Sequence, residues 1–191
     1  YVSRLADYAH TVIWYALGTG TKVWNDSTNW IPSRVPRGDD RVFFVGRSNN
    51  DCTINIDPSV KELRCDSSYA NSTVQISLGS HRLTVQENVA LSSGTVRSQT
   101  GVMEIGGNWS LYSAASFTVG SSTGEFKGGT GVHAIQGNTV FNNLISATVS
   151  ERLIFQSGST TTVNARLLLS GADLISATPG SPWYLIYNGA T

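Results

Sequence analysis

Two glutamates, Glu104 and Glu125, are the carboxylates whose positions could support catalysis. Each lies in a short stretch of alternating apolar residues, so the two could sit on consecutive coils of a repetitive fold. A carboxylate pair of this kind can hydrolyse glycosidic bonds. Solvated acids on an outer face are the commoner role, and no GxSxG, P-loop or Ser/His/Asp grouping accompanies them. The sequence therefore predicts no enzyme, and a polysaccharide-acting enzyme is the least favoured alternative.

The cysteines, Cys52 and Cys65, could form one disulfide or remain two buried thiols. Residues 53–56 and 60–63 have the composition of strands, and adjacent strands there would favour a Cys52–Cys65 disulfide. The three histidines are scattered, and neither CxxC nor HExxH occurs. We therefore expect no metal site and no cofactor.

Aromatic residues in the second half of the chain could bind carbohydrate. Trp109, Tyr112 and Trp183 exceed what a narrow core needs, and aromatic rings combine apolar faces with polar edges. Packing at the ends and coils of the fold is the alternative role. These three residues are the predicted glycan-binding aromatics.

Charged residues make up only 14% of the chain, with 13 basic and 13 acidic side chains. This balance creates no field that would attract nucleic acid, so we expect no nucleic-acid partner. Hydrophobic residues make up 40% of the chain, which is enough apolar surface for an ordered fold. The longest apolar stretch, residues 11–17, is too short to cross a bilayer.

Two features of the sequence bear on secretion and surface modification. The chain begins with Tyr1, which suggests a processed form, and three N-glycosylation sequons begin at Asn25, Asn71 and Asn108. We expect an extracellular or cell-surface protein, and glycosylation at these asparagines where the source organism modifies secreted proteins.

Residues 1–20 differ from the rest and are interpreted as an N-terminal extension. Residues 11–17 are β-branched and aromatic, and glycines follow as a hinge. Such a strand could close the chain's own core or complete the sheet of a neighbouring subunit. For the second case, the predicted subunit contacts are Val12, Ile13, Trp14, Tyr15 and Leu17.

Residues 21–191 are predicted to form one β-solenoid domain, with residues 21–50 as a cap. Trp24 and Trp30 can meet across an Asn/Asp-rich turn and cover the end of the fold. From residue 52 onward short alternating strands recur, and Asn88, Asn108 and Asn138 occupy similar places in them. Rungs of about 20 to 30 residues favour a parallel β-helix, with a β-sandwich as the alternative.

Residues 24–30 followed by 35–40, together with the run 126–145, resemble secreted bacterial β-solenoid surface proteins of the autotransporter, haemagglutinin-like adhesin and surface-repeat class. This resemblance covers residues 22–190 and implies a surface location. We expect a structural subunit of an extracellular filament, sheath or surface layer that self-assembles by N-terminal strand addition. The alternative is an adhesin or carbohydrate-binding module of a larger protein, so the expected partners are copies of the chain and glycans.

Overall fold

The computed structural model describes residues 9–18, 20–46, 48, 50–66, 75–128, 131–146, 148, 151–169, 173–176 and 182–189. The chain is nearly all β, with 52% strand and 3% helix, and winds into a parallel β-solenoid of about six turns, called rungs below. The predicted fold class is confirmed. The β-sandwich alternative is wrong, because neighbouring strands in each sheet come from successive rungs and run parallel, apart from one antiparallel pair at the N-terminal end.

Three sheets form the walls of the solenoid. Sheet A contains β1 (Thr11–Trp14), β3 (Trp30–Ile31), β4 (Arg41–Phe44), β7 (Glu62–Cys65), β10 (Val89–Leu91), β13 (Trp109–Leu111), β16 (Val132–Gln136), β18 (Arg152–Phe155) and β20 (Asp173–Ser176). Sheet B contains β2 (Lys22–Val23), β5 (Cys52–Thr53), β8 (Gln75–Ser77), β11 (Gly94–Arg97) and β14 (Ala115–Thr118). Sheet C contains β6 (Ser59–Val60), β9 (Arg82–Val85), β12 (Val102–Ile105), β15 (Thr123–Phe126), β17 (Thr139–Ser146), β19 (Thr160–Leu169) and β21 (Tyr184–Tyr187).

Alternation along each strand builds the core. Every second residue points inward, and the register stacks inward residues of one rung on those of the next. In sheet C, for example, Leu83 pairs with Met103 and Val85 pairs with Ile105, and all four side chains are fully buried. A single rung could not bury these residues, whereas stacked rungs form a continuous apolar column.

An aromatic cluster lies at the N-terminal end of the solenoid. Trp30 contacts Trp14 and Trp24 edge to face, at ring-centroid distances of 4.9 Å and 4.8 Å, and Phe44 packs beneath them. The indole of Trp30 donates to the carbonyl of Trp24 at 2.8 Å. A 3₁₀ turn (Ser27–Asn29) capped by Asp26 precedes β3, which pairs antiparallel with β1. The predicted contact between Trp24 and Trp30 is confirmed.

The cross-section changes after β15. Sheet B ends at β14, and the later rungs use the longer strands β17 and β19, of 8 and 10 residues, with a register shift between Phe141 and Asn143. Gly124 on β15 makes room for the Phe141 side chain of β17, because a Cβ there would lie 2.7 Å from the Phe141 ring. Among the described strands, sheet B has no member after β14, and β17 packs against β14 without joining that sheet.

Asparagines connect neighbouring rungs at the corners. The side-chain oxygen of Asn88 accepts from the Asn108 N–H at 2.9 Å, and that of Asn108 accepts from the Ala134 N–H at 2.8 Å. Asn138 belongs to a different corner, where it accepts from the Thr160 N–H. The predicted equivalence therefore applies to Asn88 and Asn108 only.

The membrane prediction concerns helices alone. None of the described segments forms a helix with the length and apolar character that a membrane crossing requires.

Candidate functional site

The predicted subunit-contact strand lies inside the chain's own sheet. β1 has β3 on one edge and β4 on the other, and Val12 and Trp14 are fully buried. The prediction that these two residues contact a neighbouring subunit is wrong for this structure, because they fill the chain's own core. Ile13 and Tyr15 are half-buried and Leu17 is exposed. Residues 1–8 and 19 of the predicted extension lie outside the described residues.

The carboxylates Glu104 and Glu125 do lie side by side on consecutive rungs, paired between β12 and β15. Both accept hydrogen bonds from the same Nη1 of Arg82, at 2.7 Å and 2.9 Å, and Lys127 Nζ lies 3.8 Å from Glu104. The two carboxylates raise the pKa of the Arg82 guanidinium. Arg82 and Lys127 balance the charge of the two carboxylates, and the ion pairs connect the rungs on the outer face of sheet C.

One group of possible metal ligands occurs among the described residues, formed by His10, Asp39 and Asp40. His10 Nδ1 lies 2.9 Å from Asp39. The buried Asp40 carboxylate, however, accepts from both terminal nitrogens of Arg34 and from the Arg37 N–H. A guanidinium already occupies the oxygens that a cation would need, so the donor set fits a structural ion pair better than a metal.

The two cysteines are free, buried thiols, so the predicted Cys52–Cys65 disulfide is wrong for this structure. The segments between them are not adjacent strands, because β5 pairs with β2 and β8, whereas β7 pairs with β4 and β10. Each cysteine instead occupies an inward position of its sheet. Burial raises the pKa of Cys52 well above its usual value and that of Cys65 to about 12, so both stay protonated and inert.

The three predicted glycan-binding aromatics differ in how far their side chains are exposed to solvent. Trp109 is fully buried, packs edge to face on Phe117 at 4.8 Å and donates to Thr139, so the prediction is wrong for this residue. Trp183 stacks on Phe155 at 4.7 Å and closes the core near its C-terminal end. Tyr112 is 53% exposed, and its side chain is available to a ligand.

A recess of about 500 Å³ lies beside Tyr112, and we call it the sheet B recess. Three corners from successive rungs line it, through the residues Leu111, Tyr112, Ser113, Ala115, Gly137, Asn138, Gln156, Ser157, Gly158 and Ser159. It lies at the corner between β13 and β14 and at the corresponding corners between β16 and β17 and between β18 and β19. The sequence carries no signal for it beyond the exposed tyrosine, because its residues come together only through the stacking of rungs.

A buried polar cluster, His133, Glu151 and Ser146, was also missed by the sequence analysis. His133 donates from Nδ1 to the Gly107 carbonyl at 2.9 Å, and its Nε2 lies 3.8 Å from Glu151. Glu151 accepts from Ser146 Oγ at 2.8 Å. All three side chains are shielded from solvent, and the serine bonds to the acid rather than to the histidine. The cluster is therefore closed to substrates and does not form a nucleophilic triad.

Two sequon asparagines are at the surface. Asn25 pairs its side-chain amide with that of Asn55 at 2.7 Å, and Asn108 bonds the adjacent rung through its side-chain oxygen. Asn71 lies outside the described residues. Glycosylation at Asn25 and Asn108 stays a prediction.

The chain matches no protein-family model, and neither a curated protein nor a solved structure matches it. The expectation of a surface protein thus has no relative to support it, and function has to be argued from geometry.

Proposed function

We propose that the chain is a structural subunit of an extracellular assembly, such as a filament, sheath or surface layer. The β-solenoid acts in it as a rigid body, and two copies pair through their C-terminal rungs into a dimer that is the building block of the assembly. The observation that carries this proposal is the difference between the two ends of the solenoid. Association through the C-terminal rung replaces the N-terminal strand addition that the sequence suggested.

The N-terminal end is poorly suited to strand addition. Trp14, Trp24 and Trp30 are buried there, and β3 closes the end of sheet A as a strand of two residues. Pro32 follows directly and lacks the N–H that would extend pairing. Short edges and proline are devices that prevent edge-to-edge association.

The C-terminal rung, in contrast, offers strand edges that can pair with another chain. β20 and β21 are the last strands of sheets A and C, and each has one neighbour among the described strands. On β21, Tyr184 and Ile186 are 58% and 45% exposed. The N–H of Tyr184 bonds toward β19, so by alternation the backbone groups of Leu185 face the open edge. This edge can pair with the same edge of a second copy across a two-fold axis.

The outer faces favour a stiff body. Arg82 on β9 connects Glu104 on β12 with Glu125 on β15, so one ion-pair network crosses three rungs. Asparagine bonds connect the corners between the same rungs. Charged and polar side chains of the types that catalyse reactions elsewhere here connect one rung to the next.

The test compares one substitution at each end of the solenoid. Ile186→Lys places a charge on the C-terminal edge strand, and Ile31→Lys places the same charge on the N-terminal edge strand, at similar exposures of 45% and 42%. Molar mass is measured by light scattering over a range of concentrations. We expect wild type and Ile31→Lys to associate and Ile186→Lys to remain monomeric.

Two results would overturn the proposal. Loss of association in Ile31→Lys but not in Ile186→Lys would place the contact at the N-terminal end. A wild-type chain that stays monomeric at every concentration would remove self-assembly altogether.

A further inference from the structure

We propose that the sheet B recess binds a neutral saccharide, with the exposed ring of Tyr112 as the stacking surface. This binding function is separate from assembly, because the recess lies on the side of the solenoid and β21 contributes nothing to it. The inference rests on the shape of the recess, the chemistry of its lining and the fixed orientation of its polar groups.

The recess is a lasting feature of the fold. Its lining comes from corners of three successive rungs, and the backbone at each corner is set by the strands on either side. A volume of about 500 Å³ falls within the range of about 300–1,000 Å³ typical of small-molecule sites. The space is therefore sufficient for a mono- or disaccharide without movement of a strand.

The lining excludes ionic ligands. Its ten residues are hydroxyl, amide, small or apolar, and no charged side chain is among them. Anions such as phosphate or carboxylate are bound in proteins by Arg, Lys or helix N-termini. A neutral ligand rich in hydroxyl groups is the chemistry that this lining complements.

The amide side chains of the recess are held in one orientation. Asn138 accepts the Thr160 N–H on its side-chain oxygen at 2.8 Å, and Gln156 accepts the Gly137 N–H on its own at 2.9 Å. With both oxygens used, the Nδ2 of Asn138 and the Nε2 of Gln156 are left to donate to a ligand. Fixed donors recognise hydroxyl groups at a low cost in side-chain entropy.

A hydroxyl group at the recess lacks a partner. Ser157 Oγ is shielded from solvent and makes no hydrogen bond within the described part of the chain. An unsatisfied buried hydroxyl is costly, and rotation of the Ser157 side chain about χ1 toward the recess would let a ligand hydroxyl satisfy it.

The aromatic side of the recess is also held in place. The Tyr112 N–H donates to the Leu91 carbonyl at 3.0 Å, and its carbonyl accepts from Ala115 at 2.9 Å. The ring itself is 53% exposed. An exposed ring on a fixed backbone offers an apolar face to the C–H groups of a sugar ring.

The experiment is a titration of the full chain with neutral mono- and disaccharides of glucose, galactose, mannose and N-acetylglucosamine, followed by amide NMR shifts. We expect shifts at Tyr112, Asn138 and Gln156. Tyr112→Ala should weaken binding at least about tenfold, a loss equivalent to one aromatic contact. The control, Ile31→Ala, removes an exposed apolar side chain at the N-terminal edge, outside the recess, and should bind as wild type does.

A second variant tests the amide donor. Gln156→Glu keeps an acceptor for the Gly137 N–H but removes the Nε2 donor, so it should also weaken binding at least about tenfold while the spectrum stays folded. Absence of recess shifts with every neutral sugar would overturn the proposal. So would equal binding by Tyr112→Ala and wild type, or binding of sulfated or acidic sugars alone. Because the titration detects binding at the recess only, a negative result would not bear on the assembly proposal.

Discussion

Asp40 is the most heavily bonded carboxylate near the N-terminal end. It is fully buried, which raises its pKa, yet the bonds from Arg34 and the Arg37 N–H outweigh burial and hold that pKa below the usual value. A depressed folded-state pKa gives stability that is present above the unfolded pKa of about 3.9 and is lost as the pH falls through the folded pKa. Asp40 thus connects the loop that contains Arg34 and Arg37 to the start of β4, and the strength of this connection depends on pH.

Asp40→Asn should lower the free energy of unfolding by about 2 kcal/mol, because Arg34 loses its charged partner but keeps partial access to water. Asp39→Asn, at an exposed side chain, is the control and should cost less than about 0.5 kcal/mol. Urea denaturation from neutral to acidic pH measures both. The wild type should lose more stability below about pH 4 than Asp40→Asn does, and parallel pH profiles would contradict the role of Asp40.

The buried thiols give a prediction at the same scale. With pKa values raised by burial, Cys52 and Cys65 should resist a thiol reagent in the native protein. After unfolding without reductant, both thiols should react. Fast labelling of the native chain would contradict the burial of the two thiols. Absence of free thiols in the denatured chain would show that the two cysteines form a disulfide.

At the scale of elements, tryptophans pack at both ends of the solenoid, in the N-terminal aromatic cluster and in the stack of Trp183 on Phe155. Trp30→Ala removes a buried ring and should cost about 3–5 kcal/mol, because a cavity forms among Trp14, Trp24 and Phe44. Trp183→Ala removes a half-buried ring and should cost less than about 2 kcal/mol. Circular dichroism during denaturation compares them, and equal costs would mean that the cap does not anchor the fold.

Strand patterns and corner asparagines could be predicted because their signals are local. Alternation around Leu83 and Met103 shows which residues point inward, and the stacking of Asn88 on Asn108 follows from their similar flanks. The approach of the Phe141 ring to Gly124 on the neighbouring rung depends instead on the stacking of rungs. That contact, like the lining of the recess, joins residues far apart in sequence, and a linear pattern does not encode it.

At the scale of the whole molecule, the two ends of the solenoid differ among the described residues. The cap buries tryptophans and ends in a short edge, whereas the last rung leaves a strand edge and exposed apolar side chains. This polarity is the basis of the proposed assembly, and the recess on the side of the body remains accessible when the ends are paired.

Cryo-electron microscopy of the purified chain tests the central claim most directly, because it shows which ends meet. The account predicts particles joined through their C-terminal rungs, with the tryptophan caps at the outer ends. Particles joined through the caps, or single solenoids alone at concentrations well above those of the light-scattering experiment, would contradict it.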